Sequence, residues 1–235
     1  MRIRSLIFAL CTAWFWQSSW AADAVTDWAN LARYHDASQV LPSQAKVPGR
    51  VVFMGDSITE GWGVSRPQFM DNKTHINRGI SGQTTPQMLL RFKQDVLDLN
   101  PDVVVILAGT NDIAGNTGPT TVKMITDNIS CMIQLAKVHR IKVIIGSVLP
   151  ADHYGWAPTI QPVAQIKELN LWLLRYSGQH HLHYVDWYNA LKSPEGALDG
   201  KYGDDGVHPN SHGYEVMENL LTPVLQQTLT EPFHP

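Results

Sequence analysis

"RVVFMGDSITEGW" (residues 50–62) runs as an apolar, β-branched segment, breaks off at Gly55-Asp56-Ser57 and continues in residues suited to a helix. A strand that ends in a glycine-flanked turn delivers its next side chain to the edge of a sheet, and here that side chain is Ser57. Two readings fit. Asp56 or Ser57 caps a helix by accepting from free N–H groups, or Ser57 stands exposed as a nucleophile. The turn alone does not choose between them.

Working outward, the pattern recurs. "DVVVILAG" (102–109), "KVIIGSVL" (142–149) and "LHYVDW" (182–187) are strand-like runs, and "THIN" (74–77) is a weaker one. Most are continuously apolar, which suits parallel strands covered on both faces. Helical stretches alternate with them at 85–99, 120–140, 162–177 and 211–229, and a looser amphipathic pattern covers 27–41. In the 120–140 stretch, Val122, Ile125, Ile129, Met132, Ile133 and Ala136 recur at helical spacing as a core stripe. Alternating strands and helices predict a doubly wound parallel α/β sheet with right-handed crossovers. Ligands bind such sheets beyond the carboxyl ends of the strands. The residues there are Ser57, then "GISGQTT", "GTND" and "PADHYGW", and at some distance "GDDGVHPNSHGY".

At 235 residues, 44% apolar and 17% charged, the chain reads as one soluble domain after its leader. A formal charge of −3 with no basic stripe argues against a nucleic-acid partner. "MRIR", the apolar "SLIFALCTAWFW" and Ser19-Trp20-Ala21 form the layout of a secretory signal peptide over residues 1–21, leaving a domain at 22–235. The apolar core is shorter than the roughly 20 residues of a spanning helix, so stable membrane insertion is not expected. Cys11 follows "FAL", with no small residue just ahead of it, which argues against lipid anchoring. Cleavage after Ala21 leaves Cys131 alone and no internal disulfide, and Cys131 reads as a small buried hydrophobe on the helical stripe.

A serine attacks an acyl carbon when a base takes its proton and donors receive the oxyanion. The chain has no G-x-S-x-G elbow. Asp205, three residues before His208 in "DGVHPN", can orient that imidazole; the alternative is a polar loop ahead of the last helix. The amide of Asn111 in "GTND" and the backbone N–H of Gly82 in "NRGISGQTT" are candidate oxyanion donors.

Together, "GDSIT", "GISGQTT", "GTND" and "DGVHPN" resemble, in order and spacing, the four blocks of the SGNH hydrolase superfamily, also called GDSL esterases and lipases. Ile58 stands where the family's name has Leu. The resemblance implies a flavodoxin-like three-layer sandwich of about five parallel strands with helices on both faces. It implies Ser57 as nucleophile, His208 as general base, and Asp205 or a backbone carbonyl as the group orienting His208. Ser57, Gly82 and Asn111 would form the oxyanion hole, and Asp204 would be only a neighbour. No metal or organic cofactor is implied. "NRGISGQTTPQMLLRF" and "VVVILAGTNDIAGNT" are similar to compact bacterial esterases related to platelet-activating-factor acetylhydrolases and lysophospholipase-like enzymes. That implies an esterase for short acyl groups, acetyl among them, on a sugar, a lipid headgroup or an artificial leaving group, and the leader adds export, to the periplasm or beyond.

Trp62, His153, Tyr154 and Trp156 follow strand ends and are candidates for the substrate pocket or for the top of the core. His212 reads as a residue that helps start the last helix. His180, His181 and His183 lack a convincingly spaced carboxylate or thiol and read as a solvated strand entrance, with His181 and His183 on one face. The rival functions are a non-catalytic carbohydrate- or envelope-binding protein on the same scaffold and a metal-dependent deacetylase built on the histidine cluster.

Overall fold

The computed structural model describes residues 27–41 and 46–234, so the leader expected at 1–21 and Cys11 lie outside the described residues. The elements run α1 (His35–Val40), β1 (Val51–Gly55), α2 (Ser57–Ser65), α3 (Pro67–Met70), β2 (His75–Gly79), α4 (Thr85–Asp95) and a 3-10 turn (Leu97–Leu99). There follow β3 (Val103–Leu107), α5 (Thr110–Ile113), α6 (Val122–Val138), β4 (Lys142–Gly146), α7 (Val163–Gln179), β5 (His183–Val185), α8 (Trp187–Leu191) and α9 (Ser211–Thr230). The strands pair in parallel in the order β2-β1-β3-β4-β5, the three-layer α/β arrangement that the alternation predicts. Among the described residues no helix is long and apolar enough to cross a membrane.

The unbroken apolarity of β1 and β3 has a direct cause. Successive side chains point to opposite faces, and both faces are covered. Val52, Met54, Val104 and Ile106 join Met88 and Phe92 of α4, Ile129 and Met132 of α6, and Leu169 of α7. Val51, Phe53, Val103 and Val105 join Trp62 of α2, Trp187 of α8, and Met217 and Leu221 of α9. Each fully buried aliphatic side chain contributes on the order of 1.5–3 kcal/mol.

Several elements depart from expectation. The helical pattern at 27–41 yields only α1, which buries no residue. Carbonyls ahead of α1 go elsewhere: Ala29 O accepts from Gln83 Nε2, Trp28 O from Gln87 Nε2 and Leu31 O from Gln94 Nε2, each at 2.7 Å. Side chains in and just before α4 thus take the place of helical hydrogen bonds. The strand expected at 142–149 ends at Gly146, and Val148 instead pairs its N–H and carbonyl with the Asn170 amide at 2.8 and 2.9 Å. The last strand stops at Val185 because Asp186 accepts from Asn189 N and caps α8. Cys131 is exposed rather than buried, since it lies off the α6 stripe formed by Ile125, Ile129, Met132, Ile133 and Ala136.

One close approach holds α2 against the sheet. A Cβ on Gly79, at the end of β2, would sit 2.1 Å from the backbone nitrogen of Glu60. Because the obstacle is main chain, Gly79→Ala must push α2 off the sheet. It should lower stability by about 1–3 kcal/mol, read as a reduced urea midpoint. An unchanged midpoint would mean that α2 retreats freely.

Candidate active site

The site assembles where the strands end. Asp56 is the N-cap of α2, and its carboxylate accepts from Ile58 N at 3.0 Å. This leaves Ser57 as the first helical residue, with its N–H among the groups that have no intrahelical acceptor. Ser57 Oγ lies 2.8 Å from His208 Nε2. His208 Nδ1 lies 2.7 Å from Asp205 Oδ2, while Asp205 Oδ1 accepts from the backbone N–H groups of Val207 (2.9 Å) and His208 (2.7 Å). One carboxylate therefore holds both the ring and the main chain of the loop that carries His208.

A cleft of about 360 Å³ opens beside this chain of hydrogen bonds, lined by Ser57, Ser81, Gly82, Asn111, Asn116, Trp156 and His208, within the usual size of small-ligand sites. Gly82 turns with φ +77°, a left-handed conformation that favours glycine. Asn111 is held by two hydrogen bonds: its Nδ2 donates to Gln83 O at 3.1 Å and its Oδ1 accepts from Asn116 Nδ2 at 3.0 Å. Beside it, buried Asp112 accepts from the N–H and hydroxyl of Thr85 and so ties the loop after β3 to the start of α4. On the rim, Glu60 accepts from Ser81 N and Oγ and pairs with Arg33 at 2.8 Å.

Trp156 lines the cleft, its ring 6.4 Å from that of His208. The other aromatic candidates do not. Trp62 is 1% exposed, packed between Phe69, Trp187 and Tyr214 with its indole N–H on Glu218. It is core because α2 turns that face toward α9. Tyr154 is fully buried, and its hydroxyl pairs with Thr110 Oγ1 beneath the cleft floor. His153 is exposed and paired with Asp152 at 2.7 Å, and packs on Gly206 of the His208 loop. Asp204 is exposed. His212 lies in the first turn of α9, where its N–H and that of Gly213 donate to the capping side chain of Asn210.

His181 and His183 do not share a strand face, because β5 begins at His183 and His181 sits in a turn with φ +54°. His183 pairs with Glu231 at 2.8 Å. Among the described residues no group of three or more His, Cys, Asp or Glu is arranged to hold a metal ion. Sequence reasoning missed two lining residues. Ser81 lies inside "GISGQTT" and Asn116 inside "VVVILAGTNDIAGNT", so both stood in stretches already quoted, but only their contacts single them out.

The carboxyls around the site diverge in charge preference. Burial pushes Asp205 up, but the hydrogen bonds from His208 and Val207 outweigh it and hold this carboxyl below its ordinary range. Asp56, fully enclosed, is pushed up to about 7 by burial, against the opposing pull of the Ile58 N–H and His208. Folding thus favours a proton on Asp56, and the wild type should lose stability relative to Asp56→Asn as pH rises from about 4 to about 7, by at most about 4 kcal/mol. Urea unfolding of both proteins at about pH 4.5 and about pH 8 checks this. Parallel behaviour of the two would mean that Asp56 titrates normally.

Known proteins share this architecture. A candidate acylhydrolase from Bacteroides fragilis is 46% identical, superposes with a TM-score of 0.85, and the match covers 87% of this chain and 99% of that one. A GDSL-like lipase from Bacteroides thetaiotaomicron is 42% identical with a TM-score of 0.82, over 85% and 98% of the two chains. An arylesterase from Vibrio mimicus is 30% identical over 127 residues, 49% of this chain and 62% of that protein. The chain spans less than two thirds of the length of the curated relatives it matches. The model of the GDSL-like Lipase/Acylhydrolase family matches residues 53–216. That range begins inside β1, ends inside α9 and takes in every residue of the cleft, so the chain belongs to the GDSL-like lipase/acylhydrolase family.

Proposed function

We propose that the protein is a carboxylic ester hydrolase that works through an acyl-Ser57 intermediate. The observation that carries this reading is the continuous Ser57–His208–Asp205 hydrogen-bond chain opening onto the cleft that Gly82 and Asn111 also line. His208 Nε2 takes the Ser57 proton as Oγ attacks the ester carbonyl, then gives it to the leaving alcohol. Asp205 holds the ring so that Nε2 faces Ser57. The N–H groups of Ser57 and Gly82 and the Asn111 side-chain amide receive the oxyanion. In the second half-reaction His208 activates water, which releases the acid and frees Ser57.

A short acyl group, acetyl foremost, fits a cleft walled by the small residues Ser81 and Gly82. The half-exposed face of Trp156 offers a platform for the alcohol portion, either a sugar ring or a lysophospholipid-type headgroup. The leader at 1–21 would export the enzyme and be cleaved after Ala21.

Release of p-nitrophenol from acetyl, butyryl and octanoyl esters tests the reading. Ser57→Ala should abolish hydrolysis, chelator should leave the wild type unaffected, and rates should fall from acetyl to octanoyl. Activity that survives Ser57→Ala would overturn the mechanism. Asp205→Asn should fold normally and lose on the order of 10²–10⁴ in kcat; wild-type turnover would move the orienting role to another group.

A further inference from the structure

Resting on the serine-esterase reading, we infer that Asn116 is a positioning residue that holds two of the oxyanion donors at once, and that the indole N–H of Trp156 fixes which way Asn116 faces. Asn116 Nδ2 donates to Gly82 O and to Asn111 Oδ1, both at 3.0 Å, and Asn116 Oδ1 accepts from Trp156 Nε1 at 2.9 Å. Its backbone N–H also donates to Asn111 O at 3.1 Å. All three polar sites of one amide group are used, in a side chain at the protein surface.

The polarity of the relay follows from donor and acceptor chemistry. An indole nitrogen only donates and a peptide oxygen only accepts. Trp156 therefore demands the oxygen of Asn116 on its side, and Gly82 O demands the nitrogen on the other. Asn116 then presents N–H to Asn111, which must answer with Oδ1. That turns Asn111 Nδ2 away, with one hydrogen on Gln83 O and the second left for the cleft that Asn111 lines. A flipped Asn111 amide would offer an oxyanion a carbonyl oxygen, which repels it. Gly82 is held through its carbonyl, which fixes the turn that aims its N–H. Asn116 thus needs no contact with the reacting atoms to act on both donors.

Trp156 has two separable roles on this account: its ring walls the cleft, and its N–H orients the relay. A merely structural Asn116 would show in unfolding; a positioning Asn116 shows in kcat. Hydrolysis of p-nitrophenyl acetate by wild type, Asn116→Ala, Asn116→Asp, Trp156→Phe, Ser57→Ala and Asn111→Ala, and by the Asn111→Ala/Asn116→Ala pair, reads the difference. Asn116→Ala should lower kcat by about 10–100-fold, less than the loss of a whole donor, with KM within about threefold. Asn116→Asp, which keeps the acceptor for Trp156 but loses both donated hydrogen bonds and adds a negative charge, should lose more. Trp156→Phe keeps the wall, so it should lower kcat with little change in KM. In the Asn111→Ala background the Asn116→Ala loss should shrink, because only its effect through Gly82 remains.

Wild-type kcat in Trp156→Phe overturns the part given to the indole N–H, and wild-type kcat in Asn116→Ala overturns the inference. So does a loss that multiplies fully with Asn111→Ala, or one confined to KM. If Ser57→Ala is inactive in the same assay while the Asn116 variants match wild type, this inference alone fails. Hydrolysis that survives Ser57→Ala overturns the esterase reading and this inference with it.

Discussion

The level ending of three parallel strands is the constraint on which the site depends. β1 is hydrogen-bonded to β2 on one side and β3 on the other, with Gly55 in register with both Gly79 and Leu107. The segments that leave those strands therefore start from one line, and Ser57, Gly82 and Asn111 converge within a few residues of it. Two of the three residues on that line are glycines for a steric reason. A Cβ on Gly55 would lie 2.0 Å from Thr59 Oγ1, and one on Gly79 would strike the backbone at Glu60. Without side chains at these points, α2 starts directly on the sheet. Ser57, the first residue of that helix, then lines the cleft.

Polar groups buried beneath the cleft tie these strand ends to the helices. Arg91 of α4, fully enclosed, donates to Gly55 O at 3.0 Å, to Gln83 Oε1 at 2.5 Å and to Asp95 at 3.0 Å. Burying a guanidinium is unfavourable unless its donors are paired, so the partners specify a geometry as much as they stabilise one. The same segment of Gln83 carries the carbonyl that receives Asn111 Nδ2. The loops after β2 and β3 are thereby coupled to each other and to α4, through Arg91 on one side and Asp112 on the other. A site built on loops keeps a fixed shape because those loops are anchored by buried hydrogen bonds.

The errors of sequence reading have physical causes. Trp62 and Tyr154 stand near strand ends, as pocket residues do, but one helical turn or one loop bend decides whether a ring points to the cleft or the core. Trp62 points inward because Glu218 offers its N–H an acceptor there. Tyr154 points inward because Thr110 does the same. Cys131 shares a helix with an apolar stripe, yet its angular position on that helix sets its exposure. The segment at 27–41 has a helical pattern but no core face, and amides presented by and near α4 claim its carbonyls.

By itself the sequence determined the parallel α/β sheet, the strand that presents Ser57, and the four blocks that come together around it. The sheet and that strand follow from local chemistry, continuous apolar runs and turn residues, whereas the four blocks are legible through their resemblance to the GDSL-like family. Tertiary structure alone decided which aromatic ring faces the cleft, that Asn116 joins Asn111 to Gly82, and that Asp56 is enclosed enough to hold a proton near neutral pH. These depend on which atoms meet across distant parts of the chain. Ser57 and His208, 151 residues apart, meet only because the sheet brings their loops to the same edge.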